Sequence, residues 1–142
     1  MAFLLEAQRL TKIFGGGYFS REEELIAVND ITVNLEVENP KIIAVAGESG
    51  SGKTTLARLL LGLINPDKGN VKYKGKDLTK MKRNEKRIFR REVQPIFQDP
   101  YASLNPRMTA GNIIGEPLII HKVTRGRREY RERVMHLASM VG

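Results

Sequence analysis

Apolar and polar residues alternate strictly along one stretch of the chain: Ile31, Val33, Leu35 and Val37 against Thr32, Asn34, Glu36 and Glu38. That period of two predicts a half-exposed strand. Phe3, Leu5 and Ala7 alternate with Leu4, Glu6 and Gln8, which predicts an extended segment over Phe3–Ile13, antiparallel to the first. Ile42 to Ala46 is apolar without interruption, the pattern of a strand buried on both faces of a parallel sheet. From Thr54 to Leu63 the spacing changes to that of a helix, with Leu56, Leu59, Leu60 and Leu63 on one face. Gly62 and Asn65-Pro66-Asp67 are its stop signals. Val71–Lys74 reads as a short polar strand closed by the turn Gly75-Lys76-Asp77, and Val93–Phe97 as an apolar segment interrupted by Pro95. Tyr130, Val134, Leu137 and Val141 predict a last helix, with Glu129 placed to pair with Arg133 at i,i+4. Between the first two strands, Gly15–Ser20 and Glu22-Glu23-Glu24 predict an exposed, mobile loop, and Asn39-Pro40 ends the second strand.

The apolar run Ile42–Ala46 leads directly into Gly47-Glu48-Ser49-Gly50-Ser51-Gly52-Lys53-Thr54, a full match to the phosphate-binding pattern G-x-x-x-x-G-K-[ST]. The predicted helix follows, so the motif lies on the strand–loop–helix turn that its chemistry needs. Glycines at 47, 50 and 52 let the backbone take left-handed dihedrals and approach an anion closely. Successive N–H groups then form a nest, reinforced by the positive end of the helix dipole. In this pattern Lys53 reaches the β- and γ-phosphates, the Thr54 hydroxyl ligates Mg²⁺, and Thr55 adds a contact to the α-phosphate.

At 142 residues, 41% apolar and 28% charged, the chain has the composition of one globular domain with an aliphatic core. It contains no Cys, so disulfides and thiolate metal sites are excluded. The first residues meet Glu6 without a basic segment, unlike a signal peptide, and the longest apolar runs are far too short to span a bilayer. A cytoplasmic placement is therefore expected. The net charge of +8 is uneven: residues 1–79 carry ten basic and ten acidic side chains, and residues 80–142 fourteen and six. Lys80–Arg91 alone holds seven basic side chains and one acid. A solvated helix face is the expected reading; basic charge without interleaved aromatics is a weak sign of nucleic acid.

Ile96-Phe97-Gln98-Asp99-Pro100-Tyr101-Ala102-Ser103-Leu104-Asn105-Pro106-Arg107-Met108 resembles the Q-loop region of ABC-transporter ATPases, and in particular of their oligopeptide and dipeptide importer branch. Gly47–Thr55 is worded as in that branch, and Glu116-Pro117-Leu118 with the Arg-rich helix to Gly142 continues the likeness over nearly the whole chain. The resemblance implies an α/β P-loop nucleotide-binding domain with an N-terminal antiparallel layer and the start of a helical subdomain. It implies ATP and Mg²⁺ as cofactors, bound by Gly47, Glu48, Ser49, Gly50, Ser51, Gly52, Lys53, Thr54 and Thr55. Phe14 matches the aromatic that stacks on adenine, with Tyr18 or Phe19 as alternatives and an ordinary core Phe as the plain reading. Gln98 matches the residue that senses the γ-phosphate and Mg²⁺ near the transmembrane partner; its plain reading is a loop amide bonded to backbone.

By the same resemblance, residues 1–98 form the first part of the ATP-binding core and residues 99–142 begin the helical subdomain. The implied partners are transmembrane permease subunits, a second ATP-binding subunit and, indirectly, a solute-binding protein; nucleic acid is not expected. The implied place is the inner face of the cell membrane. The 142 residues depart from the family by containing no L-S-G-G-Q-like signature, no apolar run ending in Asp-Glu (Walker B with the catalytic glutamate) and no switch histidine after it. A truncated gene product, a partial reading frame or an excised piece is expected, inactive by itself because phosphoryl transfer needs a positioned water. A small-molecule kinase of the P-loop class, and a non-catalytic module binding through its basic second half, stand as alternatives.

Overall fold

A computed structural model describes residues 3–15, 24–38, 41–99 and 103–142. The chain divides into two compact units, Met1–Gln94 and Pro95–Gly142. In the first unit, strands β1 (Phe3–Phe14), β2 (Leu25–Glu36), β3 (Lys68–Tyr73) and β4 (Lys76–Asp77) form one antiparallel sheet in the order β2-β1-β3-β4. The alternating stretches pair as expected, with Leu5 opposite Leu35, Ala7 opposite Val33 and Leu10 opposite Ile31. On its other edge β1 sets Leu5 against Tyr73 and Ala7 against Val71. Central β1 thus contributes Leu5, Ala7 and Leu10 to the core.

The alternation of β1 breaks at Arg9, where the backbone is left-handed (φ 50°) and the register shifts against both neighbours. This bulge returns Leu10 to the buried side of the strand. Asp30 on β2 is also left-handed (φ 51°), and the two exposed side chains pair at 3.0 Å. On the β3 side the bulge is met by Gly69, at φ +80°, where a Cβ would lie 2.3 Å from the carbonyl oxygens of Gln8 and Arg9. The β3–β4 hairpin turns through Lys74 and Gly75, both at positive φ, as a two-residue hairpin of the primed type requires.

Helix α1 (Lys53–Leu60) packs Leu56 and Leu59 into the core and touches both β1 and β2. It ends as its stop signal predicts: Gly62 is left-handed, its N–H reaches Leu59 O, and Leu63 N–H reaches Arg58 O at 2.9 Å. Helix α2 (Arg83–Glu92) buries Phe89, whose ring meets Tyr73 edge-on at 5.2 Å. Its two acids reach back to the hairpin. Glu92 takes Tyr73 Oη and Lys74 Nζ, and Glu85 takes Lys76 Nζ while accepting the Lys82 N–H at the helix start. Lys74 and then Tyr73 hold the Glu92 carboxyl below its ordinary range.

The second unit is built on helices α3 (Ala110–Ile120) and α4 (Arg127–Ser139). Thr109 caps α3 by accepting the Asn112 N–H at 3.3 Å. A Cβ on Gly115 would stand 2.0 Å from Tyr130 Oη, so the missing side chain admits the ring. Leu118 and Val134 are buried.

Three expectations change. Ile42–Ala46 forms no strand and is exposed, with Ile42 fully so, because no strand among the described residues lies beside it to complete a ladder. Glu129 does not pair with Arg133; it accepts the Arg125 N–H at 2.7 Å, and the i,i+4 pair is Arg128–Glu132. A carboxylate at the third helical position is better used on an unpaired N–H before the helix than on an exposed cation. Val141 lies beyond α4 and is exposed. The loop expected over Gly15–Ser20 and Glu22–Glu24 falls largely outside the described residues, as do Asn39, Pro40 and Pro100–Ala102 of the motif segment.

The bulge makes a specific demand on Gly69. In urea melts Gly75→Ala, left-handed but in open space, is expected to cost about 1 kcal/mol. Gly69→Ala adds roughly 1–3 kcal/mol of overpacking against backbone that cannot turn aside. Equal losses would show that the bulge yields.

Candidate functional site

The glycine-rich loop closes on itself before it meets any ligand. Ser51 N–H reaches Glu48 O at 3.2 Å, and Lys53 Nζ donates to Gly47 O at 2.8 Å and Glu48 O at 2.6 Å. Gly50 (φ +83°) and Gly52 (φ +88°) hold the left-handed conformations their residue type permits. Gly52 has a second reason to lack a side chain: its Cβ would lie 1.9 Å from the Ala27 carbonyl oxygen of β2. The loop is therefore seated directly on the sheet.

Gly52 is also the N-cap of α1, and no side chain caps that end. The first intrahelical bond is Leu56 N–H to Gly52 O at 2.9 Å. This leaves the N–H groups of Lys53, Thr54 and Thr55 without helical acceptors, at the positive end of the dipole. An anion is the natural acceptor there.

A cavity of about 360 Å³ opens over this helix end. Ser49, Gly50, Ser51, Gly52, Lys53, Thr54 and Thr55 form its polar wall, and Phe14, Leu25 and Ala27 its apolar wall. Phe14 is 42% exposed, not a core ring. Gly47 and Glu48 join the site through the carbonyl oxygens that hold Lys53. The structure thus brings Phe14 and the loop residues together. Gln98 belongs to the second unit, where it is exposed in a bend. Tyr18 and Phe19 lie outside the described residues.

Leu25, Ala27, Lys12 and Asp67 are absent from the motif reading. Asp67 accepts the Ile13 N–H at 2.7 Å and Lys12 Nζ at 3.1 Å, and its own N–H donates to Thr11 O. Lys12 Nζ in turn lies 5.4 Å from the centre of the Phe14 ring, within cation–π range. The end of β1 is therefore clasped on either side of the aromatic. No local pattern announces this clasp, because its partners are 54 and 55 residues apart.

An antiparallel sheet whose neighbouring loop feeds a glycine-capped helix beneath an aromatic ring defines an α/β nucleotide-binding domain of the P-loop class. Residues 31–142 match the family described as ABC transporter. The chain belongs to that family, one of nucleotide-binding ATPases. It is 43% identical over 142 residues to the probable peptide ABC transporter ATP-binding protein y4tS of Sinorhizobium fredii, covering 98% of this chain and 39% of the relative. It is 44% identical over 125 residues to the oligopeptide transport ATP-binding protein OppF of Escherichia coli, covering 88% and 37%. The chain thus spans about two-fifths of the length of these relatives. The structure resembles the ATP-binding cassette MJ0796, solved as a dimer with ADP and Pi, with a TM-score of 0.72 and 25% identity over 96% of this chain and 56% of that one. Among the described residues no helix is long and apolar enough to cross a membrane.

The backbone bond from Ile13 is the first cause, and Lys12 the second, that hold the Asp67 carboxyl below its ordinary value of 3.8. A lowered folded-state value means that this contribution is complete above the unfolded pKa and lost as pH falls through the folded one. Asp67→Asn is accordingly expected to cost about 1 kcal/mol in urea melts at pH 7, since the pair is partly exposed. The gap between variant and parent should close below the ordinary value of 3.8. A gap that persisted in acid would assign the loss to something other than the carboxylate's charge.

Proposed function

We propose that the chain is the nucleotide-binding part of an ABC importer's ATP-binding subunit, coupling ATP binding and hydrolysis to uptake of peptides or similar solutes. The single observation that carries the reading is the shared cavity, with an aromatic ring on one wall and the loop's donors on the other. Such a cavity fits a nucleotide, a flat ring at one end and phosphates at the other. Family membership, and relatives named for peptide transport, favour this reading over a small-molecule kinase.

In this proposal the N–H groups from Gly50 to Thr55 bind the phosphates, with Ser49 and Ser51 hydroxyls beside them. Lys53 exchanges its two carbonyl acceptors for phosphate oxygens, so its charge stays hydrogen-bonded throughout. Phe14 stacks on the adenine ring, with Lys12 and Asp67 fixing the strand that carries it. The Thr54 hydroxyl is a hard oxygen suited to Mg²⁺, an ion that binds through few protein ligands plus phosphate. Gln98, in the part from residue 99 backwards to the core, serves as the γ-phosphate and Mg²⁺ sensor; residues 99–142 begin the helical subdomain. The subunit works as a homo- or heterodimer on permease subunits at the inner face of the membrane, and meets a solute-binding protein only through them.

Lys53→Ala is expected to weaken Mg-ATP binding in calorimetry by about 1.5–3 kcal/mol, the scale of hydrogen bonds to a charged group. Unchanged affinity would remove Lys53 from the site. Phe14→Ala should weaken ATP more than inorganic triphosphate, which has no ring to stack; equal losses would end its stacking role.

The 142 residues lack a glutamate placed after an apolar run to orient water, and a signature to close over the loop. We expect the chain alone to show no ATPase activity above a Lys53→Ala control. Lys53-dependent turnover would reveal a catalytic group elsewhere in these residues.

A further inference from the structure

Helix α2 sorts its charges by face. Arg83, Lys86, Arg87, Arg90 and Arg91 fall at i, i+3, i+4, i+7 and i+8, the spacing of a single helical face. At 100° per residue they occupy an arc of about 140° and run along about 12 Å of helix. Buried Phe89 lies off that arc, and Glu85 and Glu92 flank it on the other side. Both acids are engaged by the hairpin lysines Lys74 and Lys76, and Asp77 by the Thr79 hydroxyl and N–H. Every acid of the segment 72–92 is thus already satisfied within the fold. Arg83, Lys86, Arg90 and Arg91 are exposed and make no ion pair among the described residues, and Arg87 is half-buried.

Such a stripe opposes the helix that carries it, because like charges three and four residues apart repel. Its regularity calls for an external counter-charge. The face has no groove for a folded ligand and no exposed aromatic ring to stack on bases, as single-stranded nucleic acid would require. At the far edge of the stripe Ile88 is 54% exposed, an apolar chain at the level of the long basic ones. Long basic chains beside an exposed apolar one suit a broad anionic surface with a hydrocarbon layer beneath its charges.

We propose that the basic face of α2 is a docking surface for anionic lipid headgroups, by which this chain touches the bilayer directly. The contact goes beyond attachment through permease subunits and does not depend on nucleotide.

Sedimentation with vesicles tests it, using the 142-residue chain without permease. Vesicles of phosphatidylcholine with about one-third phosphatidylglycerol should capture the chain, in the Debye-screened manner of surface charge, and pure phosphatidylcholine should not. The variant R83Q/K86Q/R90Q/R91Q should lose at least tenfold in partitioning, while the charge-conserving R83K/R90K/R91K variant should retain it. The variant R125Q/R127Q/R131Q/R133Q, which removes as many charges from α4, should bind as the parent does. Circular dichroism checks that all are folded, and the α2 glutamine variant should melt no lower than the parent because repulsion has been relieved. Absence of capture, equal loss in the α4 variant, or stripe-dependent binding of duplex DNA or polyglutamate without vesicle binding would each overturn the proposal. Lys53→Ala should leave capture unchanged, so failure here is separate from failure of the nucleotide site.

Discussion

The approach of Gly52 to the Ala27 carbonyl is the contact on which the site depends. It leaves no room for a Cβ, so the loop's last glycine, the start of α1 and the second strand meet at one point. From there α1 descends onto the sheet through Leu56 and Leu59, which share one core with Leu5, Ala7, Leu10 and Val28. Because β1 is paired with β2 along its length, the end of β1 is carried to the same place, and Phe14 faces the loop across one cavity. A side chain at position 52 would lift the helix end from the sheet and part the donors from the ring.

The site is poised by backbone more than by side chains. Uncapped N–H groups at a glycine N-cap supply the attraction for an anion, and Lys53 is held in waiting by two carbonyl oxygens. The aromatic side is fixed differently. Asp67 grips the strand just before Phe14 through a backbone N–H, and Lys12 lies over the ring. Both arrangements use charge at short range, where geometry, not net charge, sets the effect.

Elsewhere in the first unit, charge is divided between two tasks. The acids of α2 are engaged in holding the β3–β4 hairpin to the helix, beside the Tyr73–Phe89 contact. The cations on the opposite arc take no part in that packing. Composition records only a basic segment; the helix turns it into two faces with different partners.

Local rules were enough for the parts of the chain whose conformation is set by neighbours in sequence. The strict alternation around Val33 and Leu35 required a strand, and Gly62 required a helix end, because side-chain period and left-handed φ are local properties. The phosphate loop was legible for the same reason, since its glycines answer to backbone dihedrals. What the tertiary structure decided lies between distant residues. The Asp67 clasp joins residues 54 apart, the bulge at Arg9 needs Gly69 across the sheet, and Gly52 answers to Ala27. Ile42–Ala46 shows the limit most directly. Its apolar run has the composition of a buried strand, yet it is exposed and unpaired. A strand is completed by the N–H and C=O groups of its neighbours, and no sequence of five residues can supply those by itself.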